Sequence, residues 1–377
     1  MNPSRDHRSI LWVVLVVTAA HLGLLLLFVS KHNGDLSAAA QVSEDRAQAP
    51  EFSAITYPLP AGHDGQFYYL LAQNPFAPAR ADLLDQPARH TRVLYPLLGW
   101  IASGGGNPRL LILALPLINL LAVAATGWLG ASFAVQYGRP AWYGLFLPCA
   151  LASAIALVHD LTDAVSGLFV AALVAAALRE KDRWIGPLAL LALLAKEQNA
   201  AIVGMVGLLV LWQRRWSAVA GLAVAGALWL GWVAWVSRAY GGAAALPPTG
   251  DNFAIPFAGL WWRLTHLGQI VETDRASTRR AIFHVISVLY HLGLVGVVVW
   301  MLFQPMPWLV RGLGLIGAVL VLTAGRAIYG GLYDSSRVFV LAPLAVWFAA
   351  TLTGRPWLLW VVAPGALWGL YTAMGWA

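Results

Sequence analysis

Charge is what this sequence has least of. Only 11% of its 377 residues are Asp, Glu, Lys or Arg, against about 25% in a soluble globular chain, while 59% are apolar. So few polar side chains cannot coat a water-facing surface of that size. This excludes an ordinary cytosolic enzyme and a disordered chain. Cysteine is nearly absent too: Cys149 is the single thiol, so neither an intrachain disulfide nor a multi-thiolate metal site is available. Inside its apolar run Cys149 reads as a small buried hydrophobe. The ten-residue alternation of an outer-membrane barrel is missing, as are a Walker A loop and a His-Glu-x-x-His pair. His284 and His291 share a helix face, but their spacing of seven is too wide for the i, i+4 pair that chelates a metal; they read as packed or hydrogen-bonded histidines.

What the sequence does have is long apolar runs. A lipid-spanning helix needs about 20 mostly apolar residues. Candidate spans fall near 10–29, 109–135, 141–158, 162–178, 184–195, 199–212, 216–237, 281–303, 307–323, 337–353 and 357–374. The expectation is an all-α polytopic membrane protein with about 11 transmembrane helices, a single integral membrane domain over 1–377. The run from Ile10 to Val29 follows Arg5 and Arg8 and exceeds the roughly 7–15 residues of a signal core. It therefore reads as a retained helix rather than a signal cleaved near Ala38-Ala39-Ala40. Two polar stretches remain, 30–108 and 238–280.

Charge sets the orientation. With the N-terminus cytoplasmic and sides alternating, Arg5, Arg8, Arg139, Arg179, Lys181, Arg183, Arg214, Arg215, Arg311 and Arg355 fall on the cytoplasmic face beside only Asp6, Glu180 and Asp182. The remaining basic and acidic residues cancel, so the whole formal charge of +7 lies on one side. The basic balance therefore reflects orientation and anionic headgroups, not nucleic acid. Loops 30–108 and 238–280 become the first and second periplasmic loops. Most tryptophans near span ends read as interfacial anchors, and Trp261-Trp262 of the second loop is a candidate for sugar or lipid stacking.

Ionisable groups beside apolar spans cost on the order of 3 kcal/mol at a helix centre, so their positions carry information. Four clusters stand on the outer side. His63-Asp64-Gly65-Gln66-Phe67-Tyr68-Tyr69 begins a short amphipathic helix with Asp64 at its head, as N-cap or as functional carboxylate. Arg92 enters an apolar segment that reaches Tyr95-Pro96; it is an interfacial anchor or a bidentate donor to phosphate or carboxyl. His159-Asp160-Leu161-Thr162-Asp163 and Lys196-Glu197-Gln198-Asn199 occupy two short turns, as mutual ion pairs or as an acidic, amide-rich lip for a polar substrate. Arg326, Asp334 and Arg337 gather before a span that Arg337 opens, as a salt bridge or as cations for a lipid-borne phosphate. That all four share one side strengthens the functional reading of the set.

The order of these features resembles a known family. One N-terminal span is followed by an outer loop with an acidic residue and aromatics, His63 to Tyr69, and then by Arg92-Val93-Leu94-Tyr95-Pro96-Leu97-Leu98. This is similar to GT-C superfamily glycosyltransferases, and distantly to the second mannosyltransferase of GPI-anchor synthesis. There the acidic residue follows Trp, where His63 stands here, and the later stretch reads Phe-Pro-Leu-Tyr-Pro-Leu-Leu. The resemblance implies a bacterial inner-membrane enzyme with its active site on the periplasmic face. It would move a sugar from a polyprenyl-phosphate carrier to a lipid or glycan acceptor. By match, Asp64 takes the role of catalytic base. Arg92, Lys196, Arg326 and Arg337 are the candidate cations for the donor phosphate. Tyr68 and Tyr69 would line the acceptor groove, and His63, Gln66, Tyr95, Asp160, Asp163, Glu197 and Asp334 complete the substrate-binding set. The resemblance also implies short membrane-parallel helices in the first loop; it leaves a divalent cation open. Two other classes stay in view: a transporter or flippase of a lipid-linked or polar solute, for which no internal repeat speaks, and a non-catalytic subunit of an envelope-assembly complex.

Overall fold

The computed structural model describes residues 3–80, 82–151, 153–242, 252–266, 275–330, 332–367 and 371. Among them every regular element is helical, and the extended contacts are two isolated bridges, Ser43–Leu59 and Phe253–Ala324. Among the described residues four helices are long and apolar enough to cross a membrane: Asp6–Lys31, Pro108–Gln136, Trp216–Ala239 and Ala281–Leu302. The apolar window of Trp216–Ala239 is only 11% buried and that of Asp6–Lys31 only 17%, and Leu15, Val224 and Leu230 stand exposed. Such continuous uncovered apolar faces belong against lipid rather than water.

The remaining apolar helices, among them Asp163–Leu178, Trp308–Thr323 and Leu341–Thr353, have 10–17 residues. At about 1.5 Å per residue they reach roughly 15–26 Å, short of the ~30 Å hydrocarbon core. Two expected spans are broken. The 141–158 run is a 3₁₀ segment Ala141–Phe146 followed by helices Leu147–Ala150 and Ser153–Val158; Pro148 removes an amide there. The 337–353 run divides into Leu332–Val338 and Leu341–Thr353, so Arg337 does not open the long helix but closes the preceding one. Of 357–374, the helix Trp357–Val362 is seen, while 368–370 and 372–374 lie outside the described residues. Within the second loop, so do 243–251 and 267–274.

The chain forms two compact units. The first-loop unit comprises Val14–Thr126 and Ala156–Pro247. In it, helix Asp182–Ala195 packs against both Asp163–Leu178 and Trp216–Ala239. Small residues set the closeness: a Cβ on Gly186 would stand 2.8 Å from the Gly221 Cα, the backbone approach typical of lipid-embedded helix pairs. Helices Gly65–Gln73 and Leu94–Ala102 pack on each other, and the second also rests on Asp182–Ala195. Helix Leu94–Ala102 buries Leu94, Tyr95, Pro96 and Gly99 and exposes the apolar Ile101, and at nine residues it is too short to span. The amphipathic character expected of the first loop's opening helix concerns Gly65–Gln73. It fails there, where every residue from Gly65 to Ala72 is buried. That helix is an internal element of the loop, covered on all faces.

The C-terminal unit comprises Met1–Val13, Gly127–Ile155 and Pro248–Ala377. Its centre is helix Leu341–Thr353, buried from Leu341 to Thr351 and packed on Trp308–Thr323, Arg275–Leu302, Trp357–Val362 and Leu147–Ala150. The buried Trp347 indole is satisfied by the Tyr143 carbonyl at 2.9 Å. The second loop is tied to this unit through its backbone. The Ala254 and Phe257 amides donate to Thr323 and Leu322, and the Gly325 amide donates to Asn252. These bonds seat helix Ala258–Thr265 beside Arg326–Gly330.

Candidate functional site

Asp64 stands at the head of helix Gly65–Gln73, yet its side chain makes no capping bond to that helix. It turns instead to Arg89, whose Nη1 lies 2.7 Å from Asp64 Oδ1. Arg89 is fixed independently, because its Nε and Nη2 both donate to Asp85 at 2.8 Å. Its Cζ also lies 4.6 Å from the Phe67 centroid, and Arg46 Cζ lies 4.9 Å from the same centroid. The backbone around Asp64 is held as firmly. The His63 amide donates to the Gln41 carbonyl at 3.0 Å, and the buried Gln66 carboxamide accepts the Ser43 amide at 3.2 Å. A Cβ on Gly65 would meet the His159 carbonyl at 2.4 Å and that of Ala40 at 2.9 Å. Only glycine allows the loop to close there.

Beneath this loop the polar residues of three sequence clusters meet. Arg92 makes a bidentate bond to Glu197, Nε to Oε2 at 2.8 Å and Nη2 to Oε1 at 2.7 Å, and its Nη1 donates to the Tyr68 hydroxyl at 3.1 Å. Lys196 Nζ donates to Asp163 Oδ1 at 2.7 Å. Thr162 bonds the Ala195 carbonyl at 3.0 Å and Asn199 bonds Ser166 at 2.8 Å, stitching the two turns together. The Tyr95 hydroxyl accepts from Asn119 Nδ2 at 2.9 Å and hydrogen-bonds Asp160. The His63 and His159 rings meet edge to face at 5.8 Å. Charges this deep persist only because each is paired or hydrogen-bonded.

Asp160 departs from the pattern. It is buried, with a left-handed backbone (φ 48°), and its Oδ1 makes no hydrogen bond. Burial holds its carboxyl well above the usual carboxylate range, against the opposing pull of the Tyr95 hydrogen bond. Asp64 differs: it keeps 20% of its side chain accessible, whereas Glu197 and Asp163 keep 6% and 5%.

The structure thus gathers His63, Asp64, Gln66, Tyr68, Tyr95, Arg92, Asp160, Asp163, Lys196 and Glu197 within the first-loop unit. Tyr69 is fully buried, its hydroxyl donating to the Pro108 carbonyl at 2.9 Å; it lines no open groove but pins the loop helix. The remaining candidates belong to the C-terminal unit. Arg326 is exposed, and its Cζ lies 5.1 Å over the Trp262 ring, which also stacks on His266; Trp261 beside it stands open. Arg337 is buried, with Nη1 4.0 Å from Asp334. Among the described residues no group of three or more His, Cys, Asp or Glu is placed to hold a metal ion.

Four contributors carry no motif. Arg89 shows only as the partner of Asp85 four residues before it. Arg46 lies in an ordinary polar stretch. Asn119 was legible as an amide in the middle of an apolar helix, a costly placement that signals a partner. Arg263 hides behind the Trp261-Trp262 pair. It is completely buried, its Nη1 bonds the Tyr329 carbonyl at 2.5 Å and its Nη2 meets His284 Nδ1. Burial lowers its pKa to about 10, against the opposing pull of Tyr329. Comparison with protein-family models, with curated proteins and with solved structures finds no match to the chain.

Proposed function

We propose that the chain is an inner-membrane glycosyltransferase of GT-C type, with Asp64 as the base that activates the acceptor hydroxyl at the periplasmic face. One observation carries this reading. Of the four expected site carboxylates in the first-loop unit, Asp64, Asp160, Asp163 and Glu197, it is Asp64 that combines partial accessibility with a fixed direction, imposed by Arg89 rather than by its own helix. In the reaction the acceptor oxygen bonds the sugar's anomeric carbon as its proton passes to Asp64. The carbon–oxygen bond to the polyprenyl phosphate breaks, and the phosphate leaves with the electron pair. Positioning matters more here than basicity. The leaving phosphate requires fixed positive charge. Arg92 and Lys196 already answer to Glu197 and Asp163, so a phosphate would compete with those carboxylates. Among the described residues Arg46 has no carboxylate within 4 Å and shares the Phe67 ring with Arg89; it is a cation beside this helix whose charge no carboxylate neutralises.

The test uses the purified full chain with a polyprenyl-phosphate-sugar donor, following release of polyprenyl phosphate. Asp64 makes no capping bond, and Asp64→Asn keeps an oxygen acceptor toward Arg89, which Asp85 goes on holding, so the variant retains the fold; loss of a general base costs about 10²–10⁴ in rate. Asp64→Asn retaining more than about a tenth of the rate moves the base to Asp160. Donor flipping in proteoliposomes without turnover replaces the reading with transport.

A further inference from the structure

A second polar site lies in the C-terminal unit, at the end of the first helix that carries the N-terminus, and the sugar-transfer reading makes no use of it. A cavity of about 570 Å³ is lined by Asp6, Trp12, Val135, Arg139, Ala141 and Trp142, among others. That volume is within the roughly 300–1,000 Å³ of small-ligand sites. Arg139 is anchored from behind: its Nε donates to the Thr351 carbonyl at 3.0 Å and its Nη2 to Leu352 at 3.4 Å, so the guanidinium caps the last turn of helix Leu341–Thr353. Among the described residues its Nη1 makes no hydrogen bond, and no carboxylate lies within 4 Å of it. Asp6, which also lines the cavity, likewise has no cation within that distance among the described residues. A full negative and a full positive charge therefore share one cavity without meeting.

The pattern matches a ligand with a separated charge pair of its own. We propose that this cavity binds the headgroup of a phosphoethanolamine lipid, its phosphodiester on Arg139 and its primary ammonium on Asp6. A simple anion would face the Asp6 carboxylate, and a simple cation would face Arg139. Two aromatic rings mark the depth: Trp12 and Trp142 are 54% and 39% exposed, and indoles at span ends sit at the headgroup level of a bilayer. Exposed Leu11 beside Trp12 continues an apolar track away from the polar end, which suits an acyl chain and not a free metabolite.

The experiment is native mass spectrometry of the purified, delipidated full chain. It is titrated separately with dioleoyl-phosphatidylethanolamine, dioleoyl-phosphatidylglycerol and soluble O-phosphoethanolamine. The expected result is an affinity for the ethanolamine lipid about tenfold above that for the glycerol lipid, with the soluble headgroup far weaker than the lipid. Asp6→Asn should reduce that preference to about threefold or less while the melting temperature stays unchanged. Arg139→Gln would remove a helix cap as well as a ligand, so Arg139→Lys, which keeps a point charge, is the folding-safe companion; it should weaken both lipids together. Equal binding of the two lipids by the native chain overturns the proposal, as does an undiminished preference in Asp6→Asn. Equal affinity for the soluble headgroup overturns the lipid assignment.

Discussion

Arg92 and Glu197 illustrate how charge is tolerated in this fold. Each is nearly buried, and each meets the other through two parallel bonds. Removing one partner of such a pair strands the other, at about 3–5 kcal/mol. Arg92→Met should therefore lower stability by about that amount, whereas Arg92→Met combined with Glu197→Leu should recover most of it. Denaturation of the native chain and these two variants in mild detergent measures the effect; equal loss in the single and double variants would mean that the stranded Glu197 charge is not what costs stability. Asp160 obeys the opposite logic. Its folded pKa is raised by burial, so the unfolded chain gains by ionising it as pH climbs above about 4. Its contribution to stability is thus intact below that pH and falls as pH rises toward the folded pKa. Asp160→Asn removes the titration: its melting temperature should match the native chain near pH 4 and exceed it increasingly toward pH 8. A pH-independent difference would show that Asp160 is ionised in the fold.

At the scale of elements, helix existence was legible and helix integrity was not. Apolar runs such as 109–135 and 216–237 became helices Pro108–Gln136 and Trp216–Ala239, because twenty apolar residues leave little alternative in lipid. The 141–158 run looked equally apolar, but hydropathy does not register a proline's missing amide. Likewise the sequence shows that Asp64 heads a helix and not that Arg89, twenty-five positions on, would claim its carboxylate; such long-range pairing has no local signature. The Lys196 and Asp163 turns could be recognised as polar and close to spans, and their mutual bond follows from having nowhere else to place charge. Small-residue contacts are the least visible of all. Gly186→Ala would press a methyl onto the Gly221 backbone, and overpacking of this kind costs about 1–3 kcal/mol. Gly204→Ala, in helix Ala200–Trp212 with nothing within 4 Å of the added carbon, should instead gain up to about 1 kcal/mol. Thermal unfolding of the two variants tests the contrast; a neutral Gly186→Ala would mean the helices separate freely.

For the whole molecule, the charge partition predicts that Asp6 and the Arg214-Arg215 turn face the cytoplasm and the first loop faces the periplasm. Ser43 is a poor reporter because it is buried and its amide is bound to Gln66; exposed Glu44 next to it, and exposed Ser217, are better. In a Cys149→Ser background, an impermeant maleimide added to intact cells should label Glu44→Cys and leave Ser217→Cys untouched. The reverse pattern would invert the orientation and place Asp64 on the wrong face for lipid-linked sugars.

The two units are also interleaved along the chain. The first-loop unit needs residues up to 247, while the other waits for segments beginning at 248 to join pieces made much earlier, 1–13 and 127–155. During synthesis, then, the half that holds Asp64 has all its parts when the ribosome reaches about residue 250, and the early strips of the other half must wait uncovered for their partners. Delayed or interrupted translation past that point should yield a chain that is half assembled and an early target for membrane quality control, even though Asp64, Arg89 and Asp85 have all been made.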